Sequence, residues 1–513
     1  MGDVQSSVDD TNPYFLGSIV LVKGDAPHAD IVDGQQRLTT LTILFAAIRT
    51  LLTPEEAAGV TPLLCETANP ILGTRSRYRL TLREQDKLFF CAFVQQPDGI
   101  EKLQHLNQAH LTDSQKNIRD NALFFVKEAT KLPPEQRSRL IQFAARRCSV
   151  VAVSTPDFDS AYRIFTVLNN RGLNLTHSDI LKAELIGSIS PEHQQAYTRK
   201  WESVEDELGR EGFQELFAHI RMIYRKTKLS ETLLQEYKKH IVPVGSDAAR
   251  FIDETLLPYA DAYAIVKTSS YQSTSGAEEV NGLLRWLNQI DNVDWMPPAI
   301  VFMARNNPDT ASMVHFLRDL ERLAAAQMII RSNINERIAR YGRVLVAMEQ
   351  GQDLFSAASP LQLGPSEKQA VKMVLDGNLY EEAKVRLYVL LRLDSELSRG
   401  QATYSYPSLT VEHVLPQTPS KNSIWLRVFE NDDLRLKWTH RIGNLVLLPR
   451  RKNSEAQNYD FDVKKQKYFS SAKGVATFAL TTQVLNEKEW TPQIVERRQN
   501  QLVAALEALW RLV

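Results

Sequence analysis

Cysteine is scarce: the chain has three in 513 residues, Cys65, Cys91 and Cys148, far apart and without a CxxC pair. That excludes a disulfide framework and a cysteine-built zinc site, and it suits a reducing cytoplasm. A net charge is also missing, because 61 Lys and Arg balance 61 Asp and Glu. The molecule as a whole is therefore no polyelectrolyte, and any nucleic-acid contact must be a local patch. Long apolar runs are absent as well. The most apolar stretch, residues 38–52, is interrupted by Thr39, Thr40, Thr42, Arg49 and Thr50, which makes it an amphipathic helix and not a membrane span. The polar residues 1–11 lack the basic-then-apolar pattern of a secretory signal. With no low-complexity tract or internal repeat, the chain reads as a soluble globular protein too long for one core.

Residues 14–22 are β-formers, and 29–32 form a second short strand after the turn-like 23–27. A helix is expected from Asp33, with Asp33 as N-cap and Gln36 completing a capping box. Its apolar stripe is Leu38, Leu41, Phe45, Ile48 and Leu52. Further on come a strand at 148–154, a helix at 160–168, a turn at Asn169-Asn170-Arg171-Gly172 and a helix from Ser178-Asp179. Ser190-Pro191 is a helix start, and helical patterns then run almost unbroken to about residue 400, including 230–240, 311–330 and 381–398. Strands at 404–413 and 443–448 and a helix at 461–469 follow. The expected fold is multi-domain and mainly α: an α+β domain at 1–190, a helical connecting domain at 191–380, and a C-terminal domain at 381–513 with two strands and a helix at its centre.

Two constellations carry chemistry. The first is Glu412-His413-Val414-Leu415-Pro416-Gln417, followed by Gly443-Asn444-Leu445 and Asn453. Hydrolysing a phosphodiester with one metal needs a base for water, a cation on the leaving oxygen, and a group that holds the base. An imidazole titrates near pH ~6.5 and suits the first task, so His413 is the expected base. Strand alternation turns Glu412 to the opposite face, towards a metal. Asn444, on the next strand, would accept from the imidazole N–H, and Asn453 would begin a helix facing back to the metal. Oxygen ligands from Glu412 and Asn453 favour Mg²⁺ or Mn²⁺. Arg450, Arg451, Lys452 and Lys464 belong to a basic cluster that could neutralise backbone phosphates. The plain alternatives are a structural strand histidine, a turn asparagine and a solvated helix face.

The second is Asp33-Gly34-Gln35-Gln36-Arg37. Capping explains Asp33 and one Gln, but not Gly34 or Arg37. A helix N-terminus with an Arg beside it is a natural phosphate cradle.

The C-terminal pattern resembles the HNH, or ββα-metal, nuclease superfamily, in the subtype appended to type IV restriction enzymes of the GmrSD kind. The likeness extends to Trp425, the run from His440 to Leu448, Asn453, Phe461, Lys464 and Tyr468. The N-terminal motif resembles the Asp-Gly-Gln-Gln-Arg signature of the ParB-like domain of GmrSD and SspE-type defence proteins. Phe15-Leu16-Gly17-Ser18-Ile19 and a later run from Phe165 through Asn169, Arg171 and Gly172 to Lys182 support it. Such domains bind and hydrolyse nucleoside triphosphate and sense modified DNA. Members usually carry a Tyr-Gln-Arg-x-Tyr-x-Trp element before the first strand, which nothing ahead of Tyr14 supplies. A truncated start or a partly lost pocket is expected, with nucleotide binding better founded than hydrolysis.

The resemblance implies a modification-dependent DNA endonuclease of anti-phage defence, gated by nucleotide at residues 33–37. His413 would be its base, Asn444 the orienter, and Glu412 and Asn453 the Mg²⁺ ligands. The alternatives are a nucleotide-dependent DNA-binding regulator with an inactive nuclease fold, and an RNA-cutting toxin.

Overall fold

A computed structural model describes residues 12–513 apart from 25–26, 69–70, 72, 74, 107–110, 157–176, 244, 306–308, 399–408, 450–457 and 470–477. The fold is mostly helical with little sheet. It divides into two compact units, Met1–Gln214 with Gly245–Glu254, and Glu215–Val244 with Thr255–Val513. Among the described residues no helix is long and apolar enough to cross a membrane.

The first unit holds a three-stranded sheet. β1 (Tyr14–Val22) lies between β2 (Asp30–Asp33), antiparallel to it, and β3 (Cys148–Thr155), parallel to it. A parallel neighbour requires a long crossover, and the intervening chain supplies it as helices. Asp33 still belongs to the sheet, paired with Val20. The helix α1 (Gln35–Arg49) starts two residues later, after Gly34 at φ 94°, and no side chain caps it. Asp33 is therefore not the N-cap, and the expected capping box does not form. The strand pairing claims Asp33, and the corner needs a left-handed residue, which glycine supplies without strain. A Cβ at position 34 would also stand 2.4 Å from the Ile19 side chain.

Of the expected stripe on α1, Ile48 is buried while Leu38, Leu41, Phe45 and Leu52 are half-buried. The deepest residues are Ala46, Ala47 and Ile48. The helix is packed on two sides: Ile43 and Ala46 join Phe89, Phe90 and Ile118, while Ile48 joins Val60, Ala129 and Ile141. The expected helix at 160–168 and the turn at 169–172 lie outside the described residues. The helix α2 (Pro191–Arg225) begins at the expected proline and is interrupted at Gly209, whose φ 67° and ψ 168° are not helical. The division between the units falls within α2.

The second unit is built on α3 (Thr310–Ile329), buried on nearly every side. Its buried Glu321 is satisfied by the Tyr388 hydroxyl at 2.6 Å and Arg392 Nε at 3.3 Å. α4 (Ile334–Glu349) follows, entered through a capping box of Asn333 and Glu336. Near the end of the chain come β4 (Leu409–His413), β5 (Leu445–Pro449), α5 (Phe461–Phe469) and α6 (Pro492–Leu509). β4 and β5 are antiparallel, with His413 opposite Leu445 and Glu412 opposite Val446. Asn444, expected on the strand, instead closes the short 3₁₀ turn Ile442–Asn444 just before it. Gly443 permits that turn to sit on α6: a Cβ there would stand 2.6 Å from the Val495 carbonyl oxygen.

Candidate active site

His413 ends β4 and is 5 % exposed. Its Nδ1 lies 3.2 Å from Gln417 Nε2, and its Nε2 lies 3.3 Å from His440 Nδ1. An amide nitrogen only donates, so Nδ1 accepts and the ring proton sits on Nε2, facing His440. Tyr380 packs on both imidazoles, 4.0 Å from the His413 ring and 5.5 Å from that of His440, and Arg386 covers the tyrosine at 4.3 Å. Burial, helped by His440, Lys464 and Arg386, pushes the His413 pKa down to about 3. The ring is thus neutral at cellular pH, with its Nδ1 lone pair accepting from the exposed Gln417 amide. If that amide swings aside, Nδ1 can accept a proton, and a phosphate beside it would raise the basicity that burial has lowered.

Asn444 is completely buried and does not touch the imidazole. Its Oδ1 accepts from Leu415 N at 2.7 Å and from Trp490 Nε1 at 3.2 Å. Its Nδ2 donates to the Leu415 and Thr439 carbonyls, both at 2.9 Å. The expected bond to the His413 ring is therefore corrected: every polar position of this amide is spent on the Leu415 backbone, the Thr439 carbonyl and the Trp490 indole. Its main chain joins in, with Val414 N donating to Asn444 O at 3.0 Å. Arg498, buried beneath, donates to the carbonyls of Gly443 at 2.7 Å and Leu445 at 3.1 Å. Asn444 positions the strand end that carries His413.

Glu412 does point to the other face, as alternation requires, but it meets a lysine there. Lys464, from α5, lies 2.7 Å from Glu412 Oε1 and donates to the His413 carbonyl at 2.6 Å, and Tyr468 OH is 3.4 Å from the same carboxylate oxygen. Burial raises the Glu412 pKa and lowers that of Lys464, while each partner favours the other's charge. Lys464 is only 1 % exposed, so the expected DNA contact there is corrected: its ammonium is consumed inside. Asn453, Arg450, Arg451 and Lys452 lie outside the described residues. Among the described residues no three His, Cys, Asp or Glu side chains cluster to hold a metal ion. Glu412, one of the two expected ligands, is committed to Lys464.

In the first unit, Arg37 donates to the Ser18 carbonyl and lies 3.2 Å from Asp33 Oδ2. Gln35 Nε2 donates to Ile31 O at 2.7 Å, and Gln36 is exposed. Asp33, Gly34 and Arg37 thus come together at an uncapped helix start, with Arg37 tying α1 to β1 through a main-chain carbonyl. Reading the sequence assigned no role to Gln417, Tyr380 or Trp490 and set His440 aside. The four-residue step from His413 to Gln417 was the one local signal available. The others reach the site from distant segments.

The family model for the GmrSD restriction endonuclease N-terminal domain matches residues 2–186, and that for the GmrSD restriction endonuclease C-terminal domain matches residues 366–505. The chain belongs to the GmrSD restriction endonuclease family. It is accordingly a DNA endonuclease of restriction defence, and both constellations described above fall within the matched regions. No curated protein matches the chain.

Proposed function

We propose that this GmrSD-type protein cuts modified phage DNA in the cytoplasm, with an HNH-type site formed by β4, β5 and α5 as the cutting centre. The neutral, buried His413 at the strand end is the observation that carries the reading. Its Nδ1 takes the proton of the attacking water once Gln417 withdraws, and Tyr380 and His440 hold the ring in place. Asn444 acts at one remove, fixing residues 414–415.

Mg²⁺ or Mn²⁺ enters as a requirement to be measured. The expected ligands Glu412 and Asn453 offer oxygen, but Glu412 is already paired, so no step is routed through a metal. The uncapped start of α1 at Asp33, Gly34, Gln35, Gln36 and Arg37 supports a gate by nucleoside triphosphate, since backbone amides at a helix start favour an anion. Residues 1–190 would sense, 191–380 connect and 381–513 cut.

The decisive experiment is plasmid nicking by wild type and His413→Ala, with and without divalent metal and nucleotide. Nicking by the wild type and none by the variant, with cooperative folding retained, is expected. Equal nicking by both would remove His413 from the chemistry. The engaged Glu412 favours one other reading, a nucleotide-dependent DNA-binding regulator, and absence of nicking by the wild type on every modified DNA and on RNA would select it.

A further inference from the structure

The segment between the two matched regions carries a feature that neither constellation uses. Two open cavities, of about 490 and 590 Å³, share Arg343 and Val346 of α4 in their walls. The larger has Ile338, Ala339 and Gly342 among its lining, with Arg225, Lys226, Lys228 and Arg343 around them. The smaller adds Arg340. Against these five cations the two linings contain a single carboxylate, Glu367, which Arg340 binds at 3.1 and 3.2 Å. From outside the linings, Glu236 stands 3.4 Å from Arg225 and Glu349 stands 3.3 Å from Lys226. Lys228 and Arg343 are exposed, and among the described residues neither side chain has an ion-pair partner.

The wall that bears Lys228 is fixed from beneath. Lys226 turns left-handed at φ 56°, ending α2. Its carbonyl oxygen comes so close to α4 that a Cβ at Gly342 would stand 2.2 Å away. Arg221, 5 % exposed, donates to the Thr227 carbonyl and to that of Lys228 at 2.8 Å, while pairing with the buried Glu236 at 2.6 Å. The other Glu236 oxygen accepts from Ser230 N at 2.9 Å. A buried ion pair and a strained residue thus hold residues 226–230 in one shape. A mere helix stop would need no cation at 228 or 343.

We propose that this trough binds the phosphate backbone of duplex DNA. The occupant follows from charge and shape: several cations along an open wall over an apolar floor, two of them uncompensated, match a repeating anion. The inference rests on the DNA endonuclease reading and adds to it an anchoring surface whose lining includes none of the residues assigned to cutting.

The test measures binding of the full chain to a fluorescein-labelled duplex by anisotropy across a sodium chloride series. Each lost phosphate contact lowers the slope of log K against log salt by about 0.9. The variant Lys228→Ala/Arg343→Ala, which breaks no internal bond, is expected to bind roughly tenfold more weakly at low salt, with a slope smaller by about two. Lys228→Arg/Arg343→Lys should bind like the wild type. An unchanged slope in the alanine variant overturns the proposal. So does loss of nucleoside triphosphate binding with DNA binding intact, which would assign the trough to a free phosphate ligand. If the wild type itself binds no duplex, modified or plain, the DNA reading fails first, and the trough's role as a DNA site falls with it.

Discussion

Replacing Asn444 with alanine separates a positioning role from a catalytic one. The amide makes four bonds in a region without solvent access, and the variant orphans two donors, Leu415 N–H and the Trp490 indole N–H. A buried donor left unpaired costs about 1–3 kcal/mol, so the two together cost on the order of 4 kcal/mol before the two carbonyls are counted. For a unit of this size roughly 2 °C is lost per kcal/mol, which places the melting transition of the second unit about 8 °C lower. Tryptophan fluorescence can follow it, because six of the seven tryptophans lie in that unit. Asn444→Asp retains the acceptor but turns an oxygen towards the Leu415 and Thr439 carbonyls. Its carboxyl pKa in the fold must rise, so this variant is stabilised relative to Asn444→Ala as pH falls and loses that advantage as pH rises. His413→Ala should instead lose activity while still folding cooperatively. An Asn444→Ala protein that melts with the wild type but does not cut would refute the positioning argument and restore a direct contact with the imidazole.

Lys464→Met and Glu412→Gln each break a buried ion pair and should cost about 3–5 kcal/mol, with the double variant costing less than the sum, as a double-mutant denaturation cycle would record. Lys464→Met should also leave the salt dependence of DNA binding unchanged, because its ammonium lies inside. The folded His413 pKa lies well below the ordinary imidazole value, so its contribution to stability is complete above pH ~6.5 and is lost as pH falls towards about 3. His413→Gln should accordingly flatten the acid limb of the stability profile. Gly443→Ala should destabilise the second unit by about 1–3 kcal/mol, since the added methyl meets the Val495 carbonyl, and thermal melting would measure it.

Much of this protein was legible in its sequence because the relevant physics is local. Periodicity and punctuation gave β1, β2, β3, the start of α2 and all of α5, and two short motifs pointed to the regions that the family models match. The alternation of a strand was enough to send Glu412 and His413 to opposite faces. What lies on those faces was beyond local rules. Whether Asp33 caps a helix or ends a strand depends on its pairing with Val20 across a turn. Whether Asn444 reaches an imidazole or a backbone amide depends on Trp490 and on Gly443 letting α6 come close. Lys464 looked like surface charge because its neighbours in sequence are lysines, and only packing of α5 on β4 shows that it is interior. The sequence determined which chemical groups are present and roughly which element carries each. The tertiary structure decided which of them meet and how far burial moves their proton affinities, since desolvation and hydrogen-bond competition arise only between segments far apart in the chain.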